Sequence, residues 1–516
     1  MQKQIAVAAA EPKRLSAWLT KNPHVFSKSS LALSSNIADV PAGNIEEHIS
    51  LTNGENSELP GASSVLMLRE NDEKGRYVVA RDVINPGDTL FIEKPFTLVL
   101  CETEHSHCDF CCLPLPEEPA RCLNCQRVSY CSSFCHREAM LRFHKYECGF
   151  NLGQHTSVML AMDQIRTRDI HGAEVKQAMI HNFGGRILHH LAQMVCNGNA
   201  ITAYAMDSAR EDNSLVQERQ LRVATAIFPS ASMMNHSCDP NILTSYVGNT
   251  LIARAAKKIN PGEEVFNCYG PHYASIKTAQ RKQQLQQQYF FICQCQPCSA
   301  PQDFLDIEGI DGLLCPECKG SMKTEEKKCL TCQHELTKEQ LYKLRDQQKM
   351  CADILYEGEQ LLVTENLADA EKCVLRALAI QSNILYPHNC KLAETRDFLA
   401  ILLAKQGKYA RALEQLQLSL ASAEKCYGSK SVEVSGILDT IVDVAAEDLA
   451  NLQQSDWKQR WECARNWCDR GIKIVDMLLG PWHSRMLSFL ASQRQLQSLK
   501  EKFDARYWNE SLPSRL

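Results

Sequence analysis

Between residues 108 and 148 the chain sets eight zinc-type donors in pairs: Cys108-x2-Cys111, Cys122-x2-Cys125, Cys131-x3-Cys135 and His144-x3-Cys148. No other feature limits the fold so strongly. A closed structural zinc site takes four N or S donors, so eight donors make two tetrahedral sites. Donors three or four residues apart let one turn present both to one ion. Forty-one residues cannot bury a large core, so the metal supplies much of the folding free energy of this stretch. Cys112 is a competing donor inside the first pair and leaves its register open.

Two further clusters follow. Cys293-x-Cys295-x2-Cys298 offers three donors, one short of a structural site, and Cys238 in "NHSCDPN" (235–241) is the candidate for the fourth. Cys315-x2-Cys318 and Cys329-x2-Cys332 have four donors suited to a small zinc ribbon, with a middle spacing shorter than usual. A total of 25 cysteines would suggest a disulfide scaffold in a small secreted chain. Here they fall in CxxC-like pairs within a 516-residue chain, which favours zinc thiolates in a reducing compartment. The N-x-[ST] reading of Asn235-His236-Ser237 and Asn509-Glu510-Ser511 then loses its premise. The ten cysteines outside the clusters sit mostly in helical patterns and are expected in the core.

At this length the chain holds two or three domains, and 44% hydrophobic with 23% charged residues is a globular composition. A net charge of -5 gives no global basic field, so no direct nucleic-acid partner is expected. No apolar run approaches the roughly 20 residues of a bilayer span, so no membrane partner is expected either. "MQKQIAVAAAEPKR" has an apolar core too short for a secretory signal, while its poverty in acids through Ser35 leaves a transit role open.

Residues 1–60 lack periodicity and read as a flexible segment. From 61 to 105 short β-rich runs break at Asn85-Pro86-Gly87, and strand grammar returns over 226–300, broken at Asn260-Pro261-Gly262. The repeated turn suggests two similar hairpin-like units flanking the cysteine island (106–149) and a helical insert (150–225) typified by "ILHHLAQMV". A ribbon-like linker spans 301–335. From 336 to 516 the pattern is helical, and Ala368 and Ala370 recur as Ala410 and Ala412. That spacing suggests stacked helical hairpins of the tetratricopeptide kind, with an irregular helical bundle as the alternative. The fold class expected is α+β.

"NHSCDPN", "NCYG" (267–270) and the terminal CxCxxC together resemble the signature trio of SET methyltransferases. The cysteine island resembles a MYND zinc finger, and its insertion after the first strands narrows the resemblance to the SMYD family. "KGRYVVA", "EKPF" and "QYFFICQCQPC" look most like the tetratricopeptide-associated branch, although 1–60 shows no repeat pattern. The resemblance covers roughly 64–300 and extends to the helical region.

It implies a cross-braced finger, with Cys108, Cys111, Cys131 and Cys135 on one zinc and Cys122, Cys125, His144 and Cys148 on the other. It implies that Cys238 joins Cys293, Cys295 and Cys298 on a third, with the NHSC segment passing through a nearby loop. The implied cofactor is S-adenosylmethionine, held by Lys74, Gly75, Arg76, Asn197, Asn235, His236 and Tyr269, with Phe291 stacked on the adenine. Tyr269 matches the catalytic tyrosine and Tyr289 a wall of the lysine channel. The implied function is protein-lysine N-methylation of histone or non-histone proteins by a cytoplasmic or nuclear monomer, whose finger takes proline-rich peptides or braces its neighbours. Two positions depart from the pattern: Tyr77 stands where a glycine is common, and Asn199 where several members have a channel phenylalanine. They favour a rival reading, in which the SET fold is a scaffold for a protein-interaction adaptor.

Overall fold

A computed structural model describes residues 49–101, 106–145, 148, 196–205, 219–299, 310–323, 328–452 and 456–510. Most of the expected flexible segment and of the expected helical insert, "ILHHLAQMV" included, therefore lies outside the described residues. The β-rich half begins with β1 (Leu66–Asn71), β2 (Gly75–Ala80), β3 (Thr89–Glu93) and β4 (Thr97–Leu100). The cysteine island carries β5 (Ala120–Arg121), β6 (Ser129–Tyr130) and α1 (Ser133–Ala139), which runs into a π-helical turn at Met140–His144. Next come β7 (Gly198–Ala205), β8 (Arg219–Ile227), β9 (Asn235–His236), β10 (Ile242–Val247), β11 (Thr250–Ala255) and β12 (Phe266–Asn267). Helices α2 (Thr278–Tyr289) and α3 (Gln296–Ser299) follow, then β13 (Leu313–Leu314), β14 (Ser321–Lys323) and β15 (Lys328–Cys329).

The helical reading of 150–225 is corrected at its C-terminal end. β7 and β8 pair antiparallel, and β4 adds to the other edge of β8. Ile201, Thr202, Val223 and Thr225 are β-branched, and such side chains suit a half-buried pleated surface better than a helix.

The two Asn-Pro-Gly turns have the same construction. Gly87 and Gly262 lie at φ +97° and +84°, where a glycine carries no Cβ penalty, and proline suits the position before. The acid after each glycine closes the turn: Asp88 Oδ2 accepts from Asn85 N and Glu263 Oε2 from Asn260 N, both at 2.7 Å. The turns lie against each other, because Ile84 and Ile259 exchange backbone bonds of 2.9 and 3.0 Å. They do not close separate hairpins. β3, after the first turn, pairs with β11, before the second. β2, before the first turn, runs beside 263–265, after the second, through Ala80 N to Glu263 O and Val265 N to Val78 O. The halves on either side of the cysteine island are thus interlocked. β11, flanked by β10 and β3, is an almost continuous buried apolar run: Leu251, Ile252, Ala253 and Ala255.

The C-terminal helices are α4 (Lys338–Val363), α5 (Leu367–Ile384), α6 (Cys390–Lys405), α7 (Tyr409–Tyr427), α8 (Val432–Asn451), α9 (Trp457–Leu478) and α10 (Ser484–Glu510). Each packs on the next around one apolar core that contains Val374, Phe398, Leu438, Val475 and Phe489. Polar caps start four of them: Thr337 forms a capping box with Gln340, and Asn366, Asn389 and Ser431 accept from first-turn amides. Ala370 and Ala412 are fully buried at matching places in α5 and α7, whereas Ala368 and Ala410 are exposed. Among the described residues no helix is long and apolar enough to cross a membrane. The array docks on the β-rich half through Arg254, whose guanidinium donates to Gly87 O at 3.1 and 2.6 Å and lies over the Trp482 ring.

Gly471 of α9 faces Phe489 of α10 so closely that an added Cβ would lie 2.1 Å from the ring. Alanine gains about 1 kcal/mol of helix propensity. Overpacking a fully buried ring costs about 1–3 kcal/mol, and the ring has nowhere to turn. Gly471→Ala is therefore expected to lower stability, read as a lower urea midpoint; a raised midpoint would show that α10 adjusts freely.

Candidate active site and metal centres

β9 and β12 pair in parallel, Asn235 opposite Phe266 and His236 opposite Asn267. Around them almost every residue of 234–241 bonds to 264–273. Tyr269 Oη donates to Met234 O at 2.7 Å, and Ser237 N donates to Asn267 O at 2.9 Å. Asn241 donates to Glu264 O and accepts from Phe266 N, and Tyr273 N donates to Cys238 O. Tyr269 N donates to His236 Nδ1 at 3.0 Å, so the neutral ring carries its proton on Nε2. Nε2 lies 3.3 Å from Cys238 Sγ and donates to it. Burial holds His236 near a pKa of about 4, so the ring is neutral at neutral pH.

The Tyr269 ring stands between His236 and Tyr289, with centroids 5.2 and 4.8 Å away. Tyr289 Oη donates to Tyr269 O at 3.1 Å. Burial pushes the Tyr269 phenol up to about 12, and burial raises Tyr289 as well. On the other side of β9, the buried carboxylate of Glu264 accepts from Asn235 Nδ2 at 2.9 Å and pairs with Lys74 Nζ at 2.8 Å. The bond to Glu264 raises the Lys74 pKa.

Two clefts meet this site. One of about 1250 Å3 opens between the β-rich half and the C-terminal helices, with Asn197, Asn199, Tyr269, Tyr289 and Tyr427 in its lining. Another of about 420 Å3 is lined by Lys74, Tyr77, Glu264 and their neighbours. β9 lies between them, since Asn235 reaches Glu264 while His236 packs on Tyr269.

The ligand types gather in four groups, with donor atoms within 4.8 Å of one another in each. Cys108, Cys111, Cys131 and Cys135 form one, and Cys122, Cys125, His144 and Cys148 another. Cys238 sits with Cys293, Cys295 and Cys298, and Cys315 with Cys318, Cys329 and Cys332. Tetrahedral bonds of about 2.3 Å put sulfurs about 3.8 Å apart. The separations here fit: 3.5 Å for Cys111 to Cys131, 3.7 Å for Cys122 to Cys148, and 3.6 and 4.0 Å from Cys238 to Cys298 and Cys293. A disulfide would need about 2.05 Å. Cys112 turns away from the sulfurs into the core of the β-rich half.

The residues present also fit S-adenosylmethionine. Gly75 lies at φ +65° with no atom within 4 Å of where a Cβ would be, so its backbone is open to a ligand. Lys74, Arg76 and Gly75 are exposed on that loop, and Phe291 is half-buried with its ring 6.1 Å from His236. Asn197 lies apart from the Lys74 loop, in the large cleft, where its carbonyl accepts from Asn199 Nδ2 at 3.1 Å. Tyr77 is half-buried in the small cleft, with the Lys74 ammonium 5.3 Å over its ring.

Three residues essential to this geometry escape sequence reasoning. Glu264 joins Lys74 to Asn235; its only signal is the pair Glu263-Glu264, in which the first acid caps the turn and the second points inward. Glu93 of "EKPF" accepts from Ser230 N and Ala231 N at 2.8 Å each and so sets the approach to β9. Arg281 is fully buried, donating to Ile276 O at 2.5 Å, Pro297 O at 3.2 Å and Cys298 Sγ at 3.7 Å. Four thiolates on one divalent ion carry a net negative charge, and Arg281 offsets it.

A family model for the SET domain matches residues 75–270. "Protein-lysine N-methyltransferase SMYD4" of Mus musculus is 30% identical over 331 residues, covering 61% of this chain and 40% of the relative. The Homo sapiens protein of the same name is 26% identical, covering 62% and 38%. "N-lysine methyltransferase SMYD2" of Bos taurus is 30% identical over 270 residues, covering 44% and 58%. The chain thus spans less than two thirds of the length of these curated relatives. A SET match runs across both interlocked halves, and over the shares given the chain is similar to proteins named as SMYD lysine methyltransferases.

Proposed function

We propose that the chain transfers a methyl group from S-adenosylmethionine to lysine side chains of a protein substrate. The observation that carries this reading is the Tyr269 site, where one phenol donates to Met234 O and packs between His236 and Tyr289 at the edge of a peptide-sized cleft. S-adenosylmethionine, when bound, supplies an electrophilic methyl group on a positively charged sulfur. Asn197 is the group for its methionine end, Lys74, Gly75, Arg76, Asn235 and His236 are further polar contacts for it, and Phe291 is the face for its adenine.

The acceptor enters from the large cleft. Free lysine has a pKa of about 10.4 and must lose its proton to attack. Walls made by Tyr269 and Tyr289 exclude water, which favours the neutral amine. Tyr269, with its pKa near 12, keeps its own proton at neutral pH and orients the amine rather than acting as a base. Alignment is then the protein's main contribution. A second role, in protein recognition, is supported by Leu123 and Phe134 of the cysteine island, 89% and 50% exposed, which suit the apolar face of a proline-rich peptide.

Calorimetry with S-adenosylmethionine on the zinc-loaded protein is expected to show one site per chain, and absence of binding would end the enzyme reading. Tyr269→Phe keeps the ring and removes the hydroxyl. Cofactor affinity should change by less than about threefold while labelled-methyl transfer to lysate proteins falls roughly a hundredfold. Cofactor binding with no transfer by the parent protein would favour the adaptor role.

Cys238→Ser should couple two losses. It removes a sulfur donor and the acceptor of His236 Nε2–H, so one zinc should leave and cofactor affinity should fall roughly tenfold. Retention of both the metal and the affinity would separate the sulfur cluster from the cofactor site.

A further inference from the structure

The four cysteines at 315–332 lie outside both the finger and the SET unit, and their backbone repeats that of the finger. In the finger, the residue after each CxxC is a non-glycine at positive φ: Cys112 at +61° and Gln126 at +55°. In the ribbon it is Lys319 at +60° and Gln333 at +62°. All four loops close with the same bond, from that residue's N to the first cysteine's O, at 3.0, 2.9, 3.0 and 3.1 Å. A non-glycine residue in this region costs roughly 1–2 kcal/mol, so four repeats of it point to a shared constraint. The sulfurs meet across the strands, Cys315 to Cys332 at 3.6 Å and Cys318 to Cys329 at 3.4 Å. Amides also donate to sulfur, Gly320 N to Cys318 and Thr331 N to Cys329, both at 3.4 Å, as suits thiolates.

The ribbon then holds something else. Leu313, Met322 and Leu336 pack on Ile384, Leu385 and Leu392, at the turn between α5 and α6. Gly312 O accepts from Tyr386 N at 3.0 Å and from Asn389 Nδ2 at 3.2 Å, and Asp311 Oδ1 accepts from Cys390 N at 3.1 Å. Cys390 in turn packs with Ile310, Cys426, Tyr427, Tyr273 and Ala274 in one apolar cluster. Cys426 Sγ donates to Ala274 O at 3.5 Å, and Cys426, Tyr427 and Tyr273 line the large cleft.

We propose that Cys315, Cys318, Cys329 and Cys332 bind a fourth zinc ion, which clamps the α5–α6 turn and so holds the far wall of the large cleft against the SET unit. The clamp's effect on substrate rests on the proposed methyltransferase reading; the metal and the clamp do not.

Cys318 and Cys332 are exposed, so Cys318→Ser with Cys332→Ser in the full chain leaves the core untouched. Metal analysis should fall from four zinc ions per chain to three. Hydrogen exchange should quicken at 312–314 and 385–390. S-adenosylmethionine affinity, read by calorimetry, should stay within about threefold, while KM for protein substrate rises on the order of tenfold, as misplacement of a remote element can produce. A parent protein with three zinc ions, or one whose ribbon cysteines are oxidised to disulfides, would overturn the site. Loss of one zinc with unchanged exchange at 385–390 would overturn the clamp. Failure of cofactor binding in the parent protein would instead remove the methyltransferase reading and leave the zinc count to decide the rest.

Discussion

Hydrogen bonding between 234–241 and 264–273 is the constraint on which the site depends. Met234, Asn235, His236, Ser237, Cys238 and Asn241 each bond to the facing segment, through backbone, side chain or both. His236 is the hinge of this lamination. Its Nδ1 is committed to the Tyr269 amide, so its Nε2 proton goes to the sulfur of Cys238. A sulfur that binds metal and a tyrosine that faces the cleft are thereby tied through one neutral ring. A buried imidazole with both nitrogens used has little freedom, and the Tyr269 ring on which it packs shares that rigidity.

This lamination is itself held by the interlocked turns. β2 runs beside 263–265, which delivers Glu264 to Lys74 on one side of β9, and β11 runs between β10 and β3 as the buried centre. The geometry resembles two clasped hooks. The C-terminal helices then complete the larger cleft, because α7 and the loop after it face Tyr269 and Tyr289 across it. Arg254 and the 273–274 contact with Cys426 are two of the points where array and SET unit are joined, and Leu243 and Ala256 pack on the helical core as well.

Much of this was legible from residue spacing. Metal sites demand donors of particular types at short intervals, so the CxxC pairs declare themselves without knowledge of the fold. The Asn-Pro-Gly turns are equally local, since proline and glycine each meet a backbone requirement within four residues. The α+β class and the helical C-terminal region follow from hydrophobic periodicity, which also survives in the burial of Ala370 and Ala412. Periodicity misled at 198–205 and 219–225, where β-branched residues form paired strands. The hairpin expectation failed at the two turns for a related reason: the strands flanking each turn pair across to the other unit, while β1 with β2 and β10 with β11 pair within their own.

What the sequence by itself determined are the features written in neighbouring residues: ligand spacing, turn chemistry, helix caps and the motif that marks the family. What only the tertiary structure decided is which distant groups meet. Glu263 and Glu264 are identical in type and adjacent, yet one caps an exposed turn and the other is a buried bridge between Lys74 and Asn235. Arg281 reads as one more charge on a polar helix, but packing places it beside Cys298 with no solvent exposure. The reason is physical. Local preferences depend on a few dihedrals and nearest neighbours, whereas the worth of a charge depends on its desolvation and its partner, and both exist only after the chain has closed on itself.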